Sequence, residues 1–160
     1  MTRVAPAELP DDLPVHNNLV RATYRNPEMH RGFASLAGRV HSASHLPART
    51  RELVVLAVVG QLGAGYQWQQ HERAARHAGV SDDEIEALRV GDVDGFGDAE
   101  RTAVRLASAV DRCSVDDALW ASAAQHYSEV ELSDLVLLAG FYGLAARYTL
   151  ALDLDLERDP

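Results

Sequence analysis

The sequence is most informative in what it lacks. It contains no lysine, so all 15 of its basic residues are arginine, and chemistry that needs a Schiff-base or P-loop lysine is excluded. Its one cysteine, Cys113, cannot form an intramolecular disulfide, and there is no CxxC motif for zinc or redox chemistry. The net charge of -9 argues against general binding to nucleic acid or to an anionic membrane surface.

Length and composition indicate one soluble domain. The 160 residues are 47% apolar and 24% charged, which is typical of a globular protein with a real core. Residues 1–14 contain Pro6, Pro10 and Pro14 and no apolar run, so we expect a flexible tail rather than a signal peptide. The sequence therefore predicts a tail over 1–14, a single domain over 15–160, and a cytoplasmic location.

The fold class predicted is all-α. No proline occurs from residue 48 to residue 159, isoleucine occurs once, and no hairpin turn joins alternating apolar runs. Start and stop signals, including capping boxes at Ser81–Glu84 and Ser128–Glu131 and N-caps at Asp98 and Ser114, divide the chain into eight helices. We expect these helices at about 15–24, 27 to beyond 40, 48–62, 66–78, 82–91, 98 to beyond 110, 115–127 and 129–152. The apolar stretch 135–152 contains an arginine and favours a core or subunit-interface helix over a membrane span.

A buried acid and a nearby histidine form the most informative pair. Glu52 lies within an apolar helix, where a carboxylate is costly unless it is paired. His71 follows on the next helix, which a three-residue turn makes an antiparallel neighbour, so an offset of about one turn would let the two meet. A Glu–His pair fixes the imidazole tautomer and suits general acid–base chemistry. Alternatively, Glu52 pairs with Arg49, Arg51 or Arg73, and His71 has a structural role.

Longer motifs around this pair resemble a known family. The segment "LPARTRELVVLAV" followed by "GYQWQQHERAARHAGVS" resembles the carboxymuconolactone decarboxylase family, which includes the alkylhydroperoxidase D (AhpD) type proteins. The resemblance continues in "DDALWASAAQHYSEVELSDLVLLAGFYGLAARYTLALDLDLE" and covers about residues 18–157. It implies an AhpD-like bundle of about seven to eight helices, assembled as a homo-oligomer, a trimer or hexamer with a dimer as the alternative.

The family has a branch with a CxxC motif and a branch without cysteine. The CxxC positions correspond to Ala64 and Gln67, so the thiols needed for peroxide reduction are missing. The cysteine-free branch often has Tyr-Glu-Trp-x-x-His, which corresponds here to Tyr66, Gln67, Trp68 and, three residues later, His71. Gln67 replaces a carboxylate with a neutral amide, and we regard it as a candidate substrate-binding residue.

The resemblance implies a lyase, or a related isomerase, that acts on a small carboxylated lactone or related cyclic metabolite. His71 would be the general acid–base and Glu52 would orient it, with no metal or organic cofactor required. Tyr66, Trp68 and Tyr142 would line an apolar pocket with polar edges, although core packing is the alternative for each. The alternative function is a non-catalytic or small-ligand-binding protein in which the Glu–His pair is structural.

The remaining candidates are weaker. Arg51 or Arg147 is a candidate for holding a substrate carboxylate, with ion pairing as the alternative role. His41 and His45 have the spacing of two metal ligands on one helix face, but the sequence offers no clear third ligand. Because the second helix packs nearby in this family, His30 and His41 are candidates for facing a pocket.

Overall fold

The computed structural model describes residues 2–157. Met1 and residues 158–160, which belong to the predicted tail and domain, lie outside the described residues. Within 2–157 the chain forms helices and no strand, so the all-α prediction is confirmed. The eight helices are α1 (Asn18–Thr23), α2 (Pro27–Ser42), α3 (Ala48–Gln61), α4 (Gly65–His77), α5 (Asp82–Val90), α6 (Asp98–Asp111), α7 (Asp117–Ala123) and α8 (Glu129–Ala151).

Side-chain N-caps mark the starts of five of these helices, α1, α2, α5, α7 and α8. Both predicted capping boxes form, at the starts of α5 and α8. Two predicted starts and one predicted N-cap are wrong. Helix α1 begins after Asn17, whose side chain caps it, rather than at residue 15. Helix α6 has Gly97 as its N-cap and Asp98 as its first helical residue. Helix α7 is capped by Asp116 rather than by Ser114, and it is shorter than expected.

Helix α3 lies at the centre of the bundle. It packs against α4, α5, α6 and α8, and residues 52–59 are all buried. Helix α8 buries one side against α3 and α6 and leaves a row of apolar side chains exposed on the other. Among the helices within 2–157, none combines the length and the hydropathy that crossing a bilayer requires.

Arg49 fixes the start of α3 to two neighbouring helices. Its guanidinium donates to Glu84 of α5 and to Glu100 of α6, with shortest distances of 2.5 and 2.7 Å, and to the Gly79 carbonyl. The hydrogen bond from Arg49 lowers the pKa of Glu84 to about 2. Arg49 is therefore engaged by these two carboxylates, which leaves Glu52 to other partners.

The N-terminal segment makes backbone contacts with the rest of the chain. The amide of Arg3 donates to the Leu152 carbonyl over 2.8 Å, and that of Ala7 donates to the Arg21 carbonyl over 3.1 Å. These bonds place the segment beside α1 and the end of α8. Its flexibility stays a prediction.

Candidate functional site

The turn between α3 and α4 brings Glu52 and His71 together. His71 Nδ1 lies 2.9 Å from Glu52 Oε2, and Glu52 is only 7% exposed. Because an ionised carboxylate can only accept, Nδ1 carries the proton and donates it to this bond. The other ring nitrogen, Nε2, has no hydrogen-bond partner within residues 2–157. His71 thus has a fixed orientation and one nitrogen available for proton transfer.

A second imidazole, that of His41 on α2, lies on the other oxygen of the same carboxylate. His41 Nδ1 is 3.9 Å from Glu52 Oε1, and the ring stacks on that of His71 with 5.9 Å between centroids. Burial lowers the pKa of His41 below 6.5; Glu52 opposes this change, while His71 and Arg51 add to it. His41 is consequently neutral near pH 7, whereas His71 has the closer bond to the carboxylate.

Tyr142 of α8 completes the cluster. Its hydroxyl is 2.6 Å from His41 Nε2, and its ring meets that of His71 edge to face at 4.6 Å. Burial and the Glu52 charge raise the pKa of Tyr142, so the phenol stays protonated. His41 Nε2 is the only hydrogen-bond partner of this hydroxyl among residues 2–157, so we assign the phenol as the donor, which leaves the His41 proton on Nδ1, on the side of Glu52.

Gln67 contributes an unpaired donor on the same helix as His71. It is 3% exposed, and its Nε2 has no hydrogen-bond partner among residues 2–157. Because it precedes His71 by four residues, the two side chains lie on the same side of α4. A buried unsatisfied amide lowers stability by about 1–3 kcal/mol, so its presence suggests a use other than packing.

Tyr66 and Trp68, the other two aromatic candidates, make their contacts elsewhere. The Tyr66 hydroxyl donates to Glu157 over 2.6 Å and accepts from the Leu19 amide over 3.1 Å. Burial and the bond to Glu157 raise the pKa of this phenol. Trp68 is buried in the main core, with the Arg89 guanidinium 4.3 Å from its ring centroid. The structure therefore groups Glu52, His71 and Tyr142 closely, but not these two residues.

The two arginine candidates have local partners. Arg51 donates to the Leu46 carbonyl over 2.7 Å and acts on the cluster electrostatically, by lowering the pKa of His41. Arg147 donates to the Asp111 carboxylate over 2.8 Å, as in an ion pair. In the part of the chain that is described, no three His, Cys, Asp or Glu side chains are grouped so that they could hold a metal ion.

Comparison with known proteins identifies the family. The sequence profile of the Carboxymuconolactone decarboxylase family matches residues 27–109, which is more than half of the 160 residues. The chain belongs to this family. The match spans α2 to α6 and includes His41, Glu52, Gln67 and His71. This match confirms the resemblance seen in the motifs. Membership in the family supports the interpretation that the protein is an enzyme acting on small molecules. No curated protein matches the chain.

Solved structures share the fold over most of the chain. A protein of unknown function from Agrobacterium tumefaciens, ATU0492, has 17% identity and a TM-score of 0.80, with 99% of this chain and 100% of that one covered. An uncharacterized peroxidase-related protein with an alkylhydroperoxidase AhpD core, from Ralstonia eutropha JMP134, has 17% identity and a TM-score of 0.85, with 98% and 92% covered. The debrominase Bmp8, in a variant bound to 2,3,4-tribromopyrrole, has 21% identity and a TM-score of 0.78, with 91% and 79% covered. The AhpD-like fold is thus confirmed.

Proposed function

We propose that the protein is a cofactor-independent lyase that acts on a small carboxylated lactone or a related cyclic metabolite, with His71 as its general acid–base. The observation that carries the proposal is the 2.9 Å bond between His71 and the buried Glu52, because it fixes one imidazole nitrogen and leaves the other available. Family membership supports a small-molecule substrate. The small ring compound bound by the debrominase of similar fold supports a cyclic one.

Proton transfer is the main requirement of such a reaction. In an unsaturated lactone with a carboxylate substituent, the bond from the ring carbon to the carboxylate breaks and CO2 leaves. The electron pair of that bond delocalises into the lactone carbonyl, and a proton must then be delivered to carbon. His71 Nε2 would deliver this proton, while Glu52 orients the ring through its bond to Nδ1.

The developing negative charge needs a hydrogen-bond donor. Gln67 Nε2 is the buried donor without a partner on the same side of α4 as His71. A donor already in position for an oxyanion stabilises the transition state more than the ground state. We therefore assign Gln67 to the carbonyl oxygen of the substrate, and Tyr142 to the wall of the site through its ring contact with His71.

The test is CO2 release from 4-carboxymuconolactone by the wild type and by His71→Ala. His77→Ala is the matched control, because His77 lies on the same helix, is exposed, and hydrogen-bonds through Nδ1 to the Arg73 carbonyl of that helix. We expect turnover by the wild type and the control and its loss in His71→Ala, with all three folded by circular dichroism. Unchanged turnover in His71→Ala would disprove the assigned role. A folded wild type without turnover would favour the alternative, a small-ligand-binding protein.

Homo-oligomerisation is also a proposal. Val130, Leu137 and Leu144 are 52%, 53% and 54% exposed and follow one another every seven residues along α8, as in a helix-packing face. Light scattering should give a mass above 17.4 kDa for the wild type. It should give a lower mass for Leu137→Arg, and a monomeric wild type would refute the proposal. The cytoplasmic location stays a prediction.

A further inference from the structure

A cleft separate from the Glu52–His71 cluster lies on another part of the bundle. It has a volume of about 600 Å³ and is bounded by α3, α5, α6 and α7 with the turns between them. The candidate catalytic cluster takes side chains from α2, α3, α4 and α8, so the two sites share one helix and no residue. The volume falls within the range of about 300–1,000 Å³ that is typical of small-molecule sites.

The floor of this cleft is apolar. Leu88 and Val104 are each 4% exposed, Ala57 is 6% exposed, and Leu119 of α7 closes one end. An apolar ligand group that enters the cleft removes these surfaces from water and is stabilised by the hydrophobic effect.

Three arginines reach the same cleft, in a chain whose net charge is -9. Arg105 has no hydrogen-bonding or ion-pair partner among residues 2–157. Arg112 donates to Gln61, which is neutral, so its charge is not compensated there. Arg89 lies over the ring of Trp68 and bonds to Glu86 on the surface.

One acid, Asp116, also lines the cleft. Its carboxylate accepts the Leu119 amide over 2.8 Å and caps α7, and this single carboxylate stands against three guanidiniums, so the lining is net positive. Several guanidiniums around an apolar floor match a ligand with an apolar body and an anionic end, because a guanidinium binds a carboxylate through two parallel hydrogen bonds.

We propose that this cleft binds an amphipathic organic carboxylate, with Arg105 and Arg112 on its carboxylate and the floor of Leu88, Val104 and Ala57 on its apolar body. The proposal goes beyond the lyase function and does not depend on it. A ligand held here would contact α3 and α5 rather than His71.

The test uses octanoate as the probe and 1-octanol as its uncharged analogue, with binding measured by calorimetry. We expect one octanoate per chain with a dissociation constant below about 1 mM, and at least about tenfold weaker binding of octanol. Arg105→Gln and Arg112→Gln should each weaken octanoate binding by about fivefold to tenfold. Arg31→Gln on α2 makes the same change of charge away from the cleft and should leave binding unchanged.

Tryptophan fluorescence gives a second readout. Trp68 packs under Arg89, and in a Trp120→Phe background it is the remaining one of the chain's two tryptophans. Octanoate should change its emission in proportion to the calorimetric saturation. Equal binding of octanol, no loss in the Arg105 and Arg112 variants, or loss in His71→Ala instead would each overturn the proposal. Octanoate binding does not depend on CO2 release, so the proposed lyase function and the proposed binding cleft can be refuted independently of each other.

Discussion

Replacement of Gln67 by methionine should raise stability and lower activity at the same time. Gln67 is only 3% exposed, and its Nε2 has no hydrogen-bond partner within residues 2–157. A buried unpaired donor lowers stability by about 1–3 kcal/mol, and methionine fills nearly the same volume without it. We expect Gln67→Met to gain about 1 kcal/mol, which for a chain of this size raises the melting temperature by about 2–4 °C. Loss of an oxyanion donor should lower kcat by about 100-fold.

Gln69→Met is the matched control on the same helix. Gln69 donates to the Glu157 carbonyl and accepts the Glu157 amide, both over 3.0 Å, so its loss should lower the melting temperature and leave kcat unchanged. Differential scanning calorimetry and the CO2 assay measure the two effects separately. If Gln67→Met is less stable than the wild type, the amide is bonded in solution and the reasoning is refuted. If it is more stable but fully active, the assignment of Gln67 to the substrate is refuted.

Three further predictions concern Glu52, Tyr142 and the ion pair between Arg49 and Glu84. Glu52→Gln should lower the pKa of His41 still further below 6.5, because the carboxylate opposes the effect of burial; an NMR titration that finds it unchanged or raised would contradict this. Tyr142→Phe removes the donor to His41 Nε2 and should lower the free energy of unfolding, measured by urea denaturation, by about 1 kcal/mol. An unchanged free energy of unfolding would mean that water replaces the phenol as donor. Glu84, with its pKa lowered from 4.5 to about 2 by Arg49, should stabilise the fold above pH 4.5 and lose this contribution as the pH falls towards 2. Because the side chains of Arg49 and Glu84 are 28% and 27% exposed, we expect Arg49→Met to lower stability by about 1–2 kcal/mol at pH 7 and by little at pH 2. A constant difference across that range would refute the pairing.

The helices were predictable because their signals are local. Each capping box needs only a serine and a glutamate three residues apart, and both boxes form as expected. The start of α7 was not predictable in this way because Ser114 and Asp116 are both acceptable caps. A contact with the preceding helix decides between them: the Ser114 hydroxyl donates to the Ala109 carbonyl at the end of α6, which leaves Asp116 to cap α7.

From spacing alone, the candidate site was predictable only where its residues are close in the sequence; His41 and Tyr142 were candidates through the family resemblance. Glu52 and His71 are 19 residues apart on helices joined by a tight turn. His41 and Tyr142 are 101 residues apart, and nothing local indicates that α2 and α8 bring them together. A weak signal for His41 exists, since it continues the stripe of Phe33 and Ala37, which pack on the core, at four-residue steps.

The arrangement of the cluster favours proton transfer over thiol chemistry in this chain. Ala64 is 1% exposed and has no reactive group, and Gln67 is an amide, so neither former thiol position offers a nucleophile. Cys113 lies exposed after α6, whereas the cluster is built from α2, α3, α4 and α8. Glu52 lies close to the phenol of Tyr142, whose pKa it helps to raise, and to two imidazoles. His41 is neutral because of burial and its Nε2 bonds to Tyr142, whereas His71 makes the 2.9 Å bond to Glu52 and keeps an Nε2 without a hydrogen-bond partner among residues 2–157. His71 is therefore the imidazole that we propose as the general acid–base of the cluster.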